Sequence, residues 1–391
     1  MQPDTQVVHA GRHPERHFGV VNPPIYRAST ILYQTVAEFD ARQARRYTHQ
    51  TSYGMHGTPT TFALAEAVAE LSGGRHAIIV SSGLAAITQT LTAVLRQGDH
   101  LLAPDSAYGP TRNFATTVLA RLGVEVTFYD PLVGAGIAAL IRDTTRVVYV
   151  ESPGSQTFEV QDVPAIARAA HARGALVIMD NTWATPLNFH AFEHGVDIEI
   201  QAGTKYLAGH SDLLVGAITI RDEALFRTVK DGVAAFGDCV APDVCYETLR
   251  GLRTLAVRLR HHERSALAVT TWLERRPEVA RVLYPALPTD PGHALWKRDF
   301  LGASSLFSVL LRTTSPPAVA AMLEGLRLFK MGASFGGFES LIIPARAADT
   351  RTVRPWRERG TLVRVHVGLE AVEDLIADLE DGFARLATAS A

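Results

Sequence analysis

Short apolar runs alternate along the chain with stretches whose apolar positions recur every three or four residues. Runs at 76–80, 100–103, 124–129, 146–150, 175–179, 196–200 and 215–220 are rich in Val, Ile and Leu. Near-continuous apolar runs of this kind read as strands buried on both faces. Between them, 62–71, 84–95, 111–122, 137–142 and 163–173 carry helical spacing, and Gly73-Gly74 closes the first. The alternation predicts βαβ units and an α/β fold: a mainly parallel sheet with helices on both faces.

The pattern changes at both ends. Residues 1–60 have little periodicity and contain Pro23-Pro24, Gly54 and Gly57. They read as an extended arm that needs a surface to lie on, such as a neighbouring subunit. After Arg221, 223–233 and 246–273 read as helices, the second a single long one. Strand-like 305–311 and 362–367, with helical 371–387, suggest a smaller α/β C-terminal domain. The expected division is an arm at 1–60, a large domain at 61–255 and a smaller domain at 256–391.

Composition narrows the function classes. Of 391 residues, 47% are hydrophobic and 20% charged, as in a globular protein with a large core. A formal net charge of −2 gives no electrostatic case for nucleic acid or an anionic membrane. Two cysteines, Cys239 and Cys245, make neither a disulfide framework nor a four-ligand zinc site, and no metal is expected. No apolar run is long enough to span a bilayer, and the first residues lack the apolar core of a secretory signal, so a cytoplasmic location is expected.

In an open parallel sheet, ligands bind beyond the carboxyl ends of the strands, so the residues after each run are the candidates. Lys205 lies in QAGTKYLAGHSD, after the run ending at Ile200. A lysine there is either a desolvated nucleophile or a cap on a carbonyl. Ser81-Ser82-Gly83-Leu84 opens a helix after Val80 and offers backbone N–H groups to a phosphate, or simply an N-cap at Ser82. Asp180 ends another run, where a buried carboxylate needs a cation such as a protonated ring nitrogen, or a local turn. Tyr108 could stack on a planar ring or belong to a turn. Arg364, inside an apolar strand, needs a carboxylate, from a ligand or from the protein itself. A lysine, a carboxylate, a stacking ring, a phosphate cradle and an arginine together are what pyridoxal phosphate and an amino-acid substrate require.

The motifs VVHAGR, NPPIYRAST, YGMHGTPT, SSGLAAI, SAYGPT, ESPGSQTFEV, MDNTWATP, QAGTKYLAGHSD, LRGLRTL, SFGGFESL and RVHVGLE cover nearly the whole chain. With them the chain resembles the fold-type I pyridoxal-phosphate enzymes of cysteine and methionine metabolism, and within that group the cystathionine β-lyases. The resemblance implies a seven-stranded sheet and a carbon–sulfur lyase of methionine biosynthesis acting on a sulfur amino acid. Lys205 would hold the cofactor and act as base. Asp180 would bond the pyridine nitrogen, Tyr108 would stack on the ring, and Gly83, Leu84 and Thr204 would hold the phosphate. Arg364, Ser334 and Phe335 would bind the substrate. Tyr53, from the arm, would reach the phosphate of a neighbouring subunit in a homotetramer.

Three positions depart from the pattern. Met55 stands where the family has a phosphate-binding arginine, and a thioether cannot donate a hydrogen bond. Ala333 replaces the tyrosine of some β-lyases, and also the glutamate common in γ-type members. Phe335 replaces a tryptophan. The alternatives left open are a γ-type lyase or synthase, a lyase of other cysteine S-conjugates, and a non-catalytic relative that binds without turnover.

Overall fold

In a computed structural model, which describes residues 1–390, the seven runs form one sheet. Its strands are β1 (His76–Val80), β2 (His100–Pro104), β3 (Glu125–Tyr129), β4 (Thr145–Glu151), β5 (Leu176–Asp180), β6 (Ile198–Gln201) and β7 (Gly216–Ile220). Their spatial order is β1-β7-β6-β5-β4-β2-β3. The ladder from β3 to β6 is parallel, and β7 runs antiparallel to β6 and β1. A parallel neighbour needs a crossover helix, whereas an antiparallel one can return by a direct loop. The β6–β7 loop therefore turns back at the carboxyl edge of the sheet, and it carries Lys205.

Alternate residues of each strand enter different cores. Val177 and Met179 of β5 pack on one face, Ile178 on the other. The second face is closed by the helices Gly83–Val94 and Glu223–Ala235, through Ile87, Leu91, Phe226 and Val229. The first face shares its core with a second sheet of β8 (Val279–Leu283), β9 (Leu306–Leu311), β10 (Leu341–Pro344) and β11 (Thr361–His366). That sheet is antiparallel, in the order β10-β11-β9-β8. Phe307, Val309, Val363 and Val365 sit in one buried cluster with Val148, Val150 and Met179. The C-terminal part thus has no separate core, and its loops are held rigidly over the carboxyl edge of the large sheet.

The elements differ from expectation at four places. The single helix expected over 246–273 is two, Pro242–Arg253 and Leu255–Leu273, broken at Thr254. Gly251 lies so close to the loop after Lys205 that a Cβ there would be 2.2 Å from the Ala208 carbonyl oxygen. The carbonyl freed at the break is satisfied by Arg258, whose Nη2 donates to Gly251 O at 2.7 Å while Nη1 donates to Tyr206 O at 2.8 Å. The helix expected at 137–142 is a tight 3-10 turn, Gly134–Ala139. β8 and β10, short and interrupted by Arg281 and Pro344, had no clear signal in the pattern. Finally, Pro3–His9 is helical, and Val7 and Ala10 share a buried cluster with Leu64, Leu249 and Leu252, which anchors the start of the arm on the chain's own core.

Candidate active site

The carboxyl ends of β1, β4, β5 and β6 converge on a cavity of about 220 Å³. Gly83, Leu84, Tyr108, Asp180, Thr204, Lys205, Phe335 and Arg364 all line it, together with Ala333. Residues chosen one strand at a time are brought together by the topology.

Lys205 does not cap a carbonyl. Its Nζ lies 3.0 Å from Ser334 Oγ and 5.0 Å from the centre of the Phe335 ring. Burial, reinforced by the positive charge of Arg364 and opposed by Asp180, brings its pKa down to about 8. A sizeable fraction of the amine is therefore neutral and nucleophilic near neutral pH. Arg364 is equally free of a structural ion pair: no protein carboxylate pairs with it among the described residues. Its Nη2 donates to Ser334 O at 3.0 Å. Ser334 thus touches both cations, one through its hydroxyl and one through its carbonyl. A buried guanidinium with unused donors facing a cavity is a site for a ligand carboxylate.

Asp180 accepts the Thr182 N–H at 2.9 Å. Burial raises its pKa, while Thr182 and the nearby Lys205 act in the opposite direction. Among the described residues no cation is in hydrogen-bond contact with the carboxyl, which lines the cavity. Glu151, singled out by no expectation, ends β4 directly beside Asp180 in the β4–β5 register. Its Oε2 accepts the Tyr108 N–H at 2.7 Å and so holds the main chain of the stacking residue. Burial and the Asp180 charge push the Glu151 pKa well above the ordinary value. The signal was present, since Glu151 ends its strand as Asp180 ends its own. Tyr108 presents a half-exposed ring to the cavity, its phenol pKa raised by burial and by Asp180.

The phosphate end is built from close approaches. Ser82 caps the helix by accepting the Ala85 N–H at 3.0 Å. The N–H groups of Gly83 and Leu84 have no acceptor among the described residues. Gly83 presses on Ala202, where a Cβ would come within 2.4 Å of the Ala202 Cβ, so no larger residue fits. The Thr204 hydroxyl faces the same end while bridging the backbone of Val215 at 3.0 and 3.2 Å. Tyr53 is not brought to this cavity; it is largely exposed, on the arm. Met55 lines a separate crevice with His56 and Lys230.

A depressed lysine, a carboxyl lacking a cation, a planar ring and free N–H groups at a helix start match the functional groups of pyridoxal phosphate one by one. With the seven-stranded sheet they define a fold-type I pyridoxal-phosphate enzyme. The family follows from the sequence: the model of the Cys/Met metabolism PLP-dependent enzymes matches residues 4–384, and the chain belongs to that family. Cystathionine beta-lyase of Salmonella typhimurium (strain LT2) is 44% identical over 391 residues, 98% of this chain and 99% of that protein. An L-alanine/L-glutamate racemase of Wolbachia pipientis wMel is 39% identical over 401 residues, 99% of this chain and 98% of its own. The solved cystathionine gamma synthase of Xanthomonas oryzae pv. oryzae in complex with cystathionine has a TM-score of 0.90 at 32% identity, covering 100% of this chain and 99% of that one.

Proposed function

We propose that the protein is a carbon–sulfur β-lyase that cleaves L-cystathionine to homocysteine, pyruvate and ammonia. The observation that carries this reading is that Lys205 is the one base lining the cavity, among the described residues, that is not held to another role. Asp180 is reserved for the cofactor ring, Glu151 is bonded to the Tyr108 N–H, and position 333, where γ-type members commonly hold a glutamate, is alanine. β-Elimination removes one proton, from Cα, and needs one base; γ-elimination moves a second proton, at Cβ.

Pyridoxal phosphate, when bound through Lys205, supplies the electron sink that stabilises charge at the substrate Cα. The chain's residues do the rest. Arg364 takes the substrate carboxylate, with Ser334 holding the guanidinium in place. Asp180 keeps the ring nitrogen protonated. Gly83, Leu84 and Thr204 hold the phosphate, and Tyr108 covers the ring. Lys205, displaced by the substrate amine, stands beside Cα and accepts its proton. The Cβ–S bond then breaks with its electron pair going to sulfur, which leaves as homocysteine after gaining a proton. The three-carbon remainder is hydrolysed to pyruvate and ammonia. Cystathionine, S-alkylcysteines and methionine assayed in parallel test the reading. Pyruvate and homocysteine from cystathionine are expected; 2-oxobutyrate would overturn it in favour of γ-chemistry. L-alanine and L-glutamate belong in the panel, since racemisation without elimination would favour the activity named for the Wolbachia relative.

The proposal extends to assembly and place. The arm exposes Phe18, Val20, Val21, Leu32, Val36 and Phe39 to solvent, a run of apolar surface suited to covering by another subunit. A cytoplasmic homotetramer, with residues 1–60 as the arm and Tyr53 at a neighbour's phosphate, accounts for that surface.

A further inference from the structure

His366 is fully buried on β11, two residues beyond Arg364 and on the same face of the strand. Its ring joins three segments around Lys205. Nδ1 lies 2.8 Å from Ser305 Oγ, and Nε2 lies 3.2 Å from Gly337 O. Ser305 Oγ lies 3.0 Å from the hydroxyl of Tyr206, the residue after Lys205. The Gly336 N–H points at the same ring, 3.2 Å from Nε2 and 3.4 Å from Nδ1, so the loop meets His366 through two backbone groups, the Gly336 N–H and the Gly337 carbonyl. Burial, reinforced by His262, lowers the ring pKa to about 3, in keeping with a neutral ring.

The loop that His366 holds is the one bearing Ser334 and Phe335. It lies directly on the lysine: Gly336 has φ +80°, and a Cβ there would be 2.8 Å from Tyr206 N and 2.9 Å from the Lys205 carbonyl carbon. Phe335 packs on the Tyr206 ring at 5.8 Å between centres. The loop's height above Lys205 therefore fixes where Ser334 meets both Lys205 Nζ and Arg364.

We propose that His366 is a positioning residue: it ties the Ser334–Gly337 loop to the Lys205 segment and so sets the geometry with which Arg364 and Ser334 receive a substrate carboxylate. This deepens the proposed function and rests on its assignment of Arg364 and Ser334, but not on the identity of the sulfur substrate. Its first readout is accordingly the dissociation constant of glycine, measured on holoenzyme from the absorbance change of the lysine-bound cofactor. A glutamine at 366 places its amide at the position of Nε2 and keeps the bond to Gly337. An asparagine reaches only the position of Nδ1 and loses that bond. His366→Asn is expected to weaken glycine binding about tenfold, and His366→Gln less than about threefold. With cystathionine, the asparagine change should raise KM about tenfold and leave kcat within about threefold. Adding His366→Asn to Ser334→Ala should add less than its effect on the wild type, because the Ser334 hydroxyl is already gone while its carbonyl still meets Arg364.

Equal losses from the asparagine and glutamine changes, or full additivity with Ser334→Ala, would overturn the proposal. If His366→Asn does not yield holoenzyme, Ser305→Ala serves instead: it frees Nδ1 while leaving the ring in place. It should weaken glycine binding more in the wild-type background than in Ser334→Ala; an equal loss in both backgrounds would refute the tether. Normal glycine behaviour with no turnover of cystathionine would instead sink the β-lyase reading alone.

Discussion

At the scale of single residues, the chemistry turns on how far Lys205 is stripped of water. A pKa near 8, set by burial and by Arg364, makes capture of the cofactor pH-dependent. The rate at which apoprotein takes up pyridoxal phosphate should rise roughly tenfold per pH unit below pH 7 and level off above about 8. Stopped-flow absorbance would check this, and a flat profile would contradict the depressed pKa. The same depression costs the apoprotein stability while the amine is charged. This group's contribution therefore improves as pH rises from about 8 towards the ordinary 10.5. Lys205→Ala should remove both the bound-cofactor absorbance and turnover. Lys205, Asp180, Tyr108 and Arg364 were legible because each is a polar group at the end of, or inside, an apolar strand, where it needs a reason to be. Ser334 was legible only through resemblance, because a serine in a glycine-rich loop carries no such tension.

Among the elements, the break at Thr254 has the clearest energetic consequence. Periodicity runs unbroken through 246–273, so the sequence pattern favours one helix. The tight approach of Gly251 to the Lys205 loop, and the Arg258 guanidinium across the gap, favour two. Arg258→Ala would strand the buried Tyr206 carbonyl and leave the Gly251 carbonyl to its two donors on Thr254. It should cost about 2 kcal/mol in urea unfolding. It should also weaken cofactor retention, since Tyr206 adjoins Lys205. A loss below about 0.5 kcal/mol, the range of ordinary surface changes, would show that the break is held by packing alone.

Across the whole molecule, the second sheet is latched to the first by Asp105, the residue after β2. Its carboxylate accepts the N–H groups of Thr352, Val353 and Arg354 at 2.9 to 3.0 Å and pairs with Arg112 at 3.0 Å. Burial works to raise the Asp105 pKa, but those N–H donors outweigh it and the pKa is lowered. A lowered carboxyl pKa stabilises the latch above the ordinary value near 4 and lets go as pH falls through the lower folded value. Asp105→Ala should release the segment around residues 346–354, read as new trypsin cleavage after Arg346 or Arg351. An unchanged digest would place the latch elsewhere. Between subunits, Met55→Arg should restore a charge-assisted phosphate contact and tighten cofactor binding about tenfold, measured by absorbance titration. No gain would mean that residue 55 does not face a neighbour's phosphate.

By itself the sequence determined the strands of the large sheet, the helices between them and the polar residues at their ends. These are properties of local periodicity and of the cost of burying charge, and they are written in consecutive residues. Only the tertiary structure decided that β7 runs antiparallel and turns Lys205 back over the sheet. It also decided that the two sheets share one core, that Glu151 props the main chain of Tyr108, and that His366 ties the Ser334 loop to Lys205. Each of these depends on groups far apart in the chain, brought to within hydrogen-bond distance by packing. Direction, register and loop position are set by such contacts, and no local pattern encodes them.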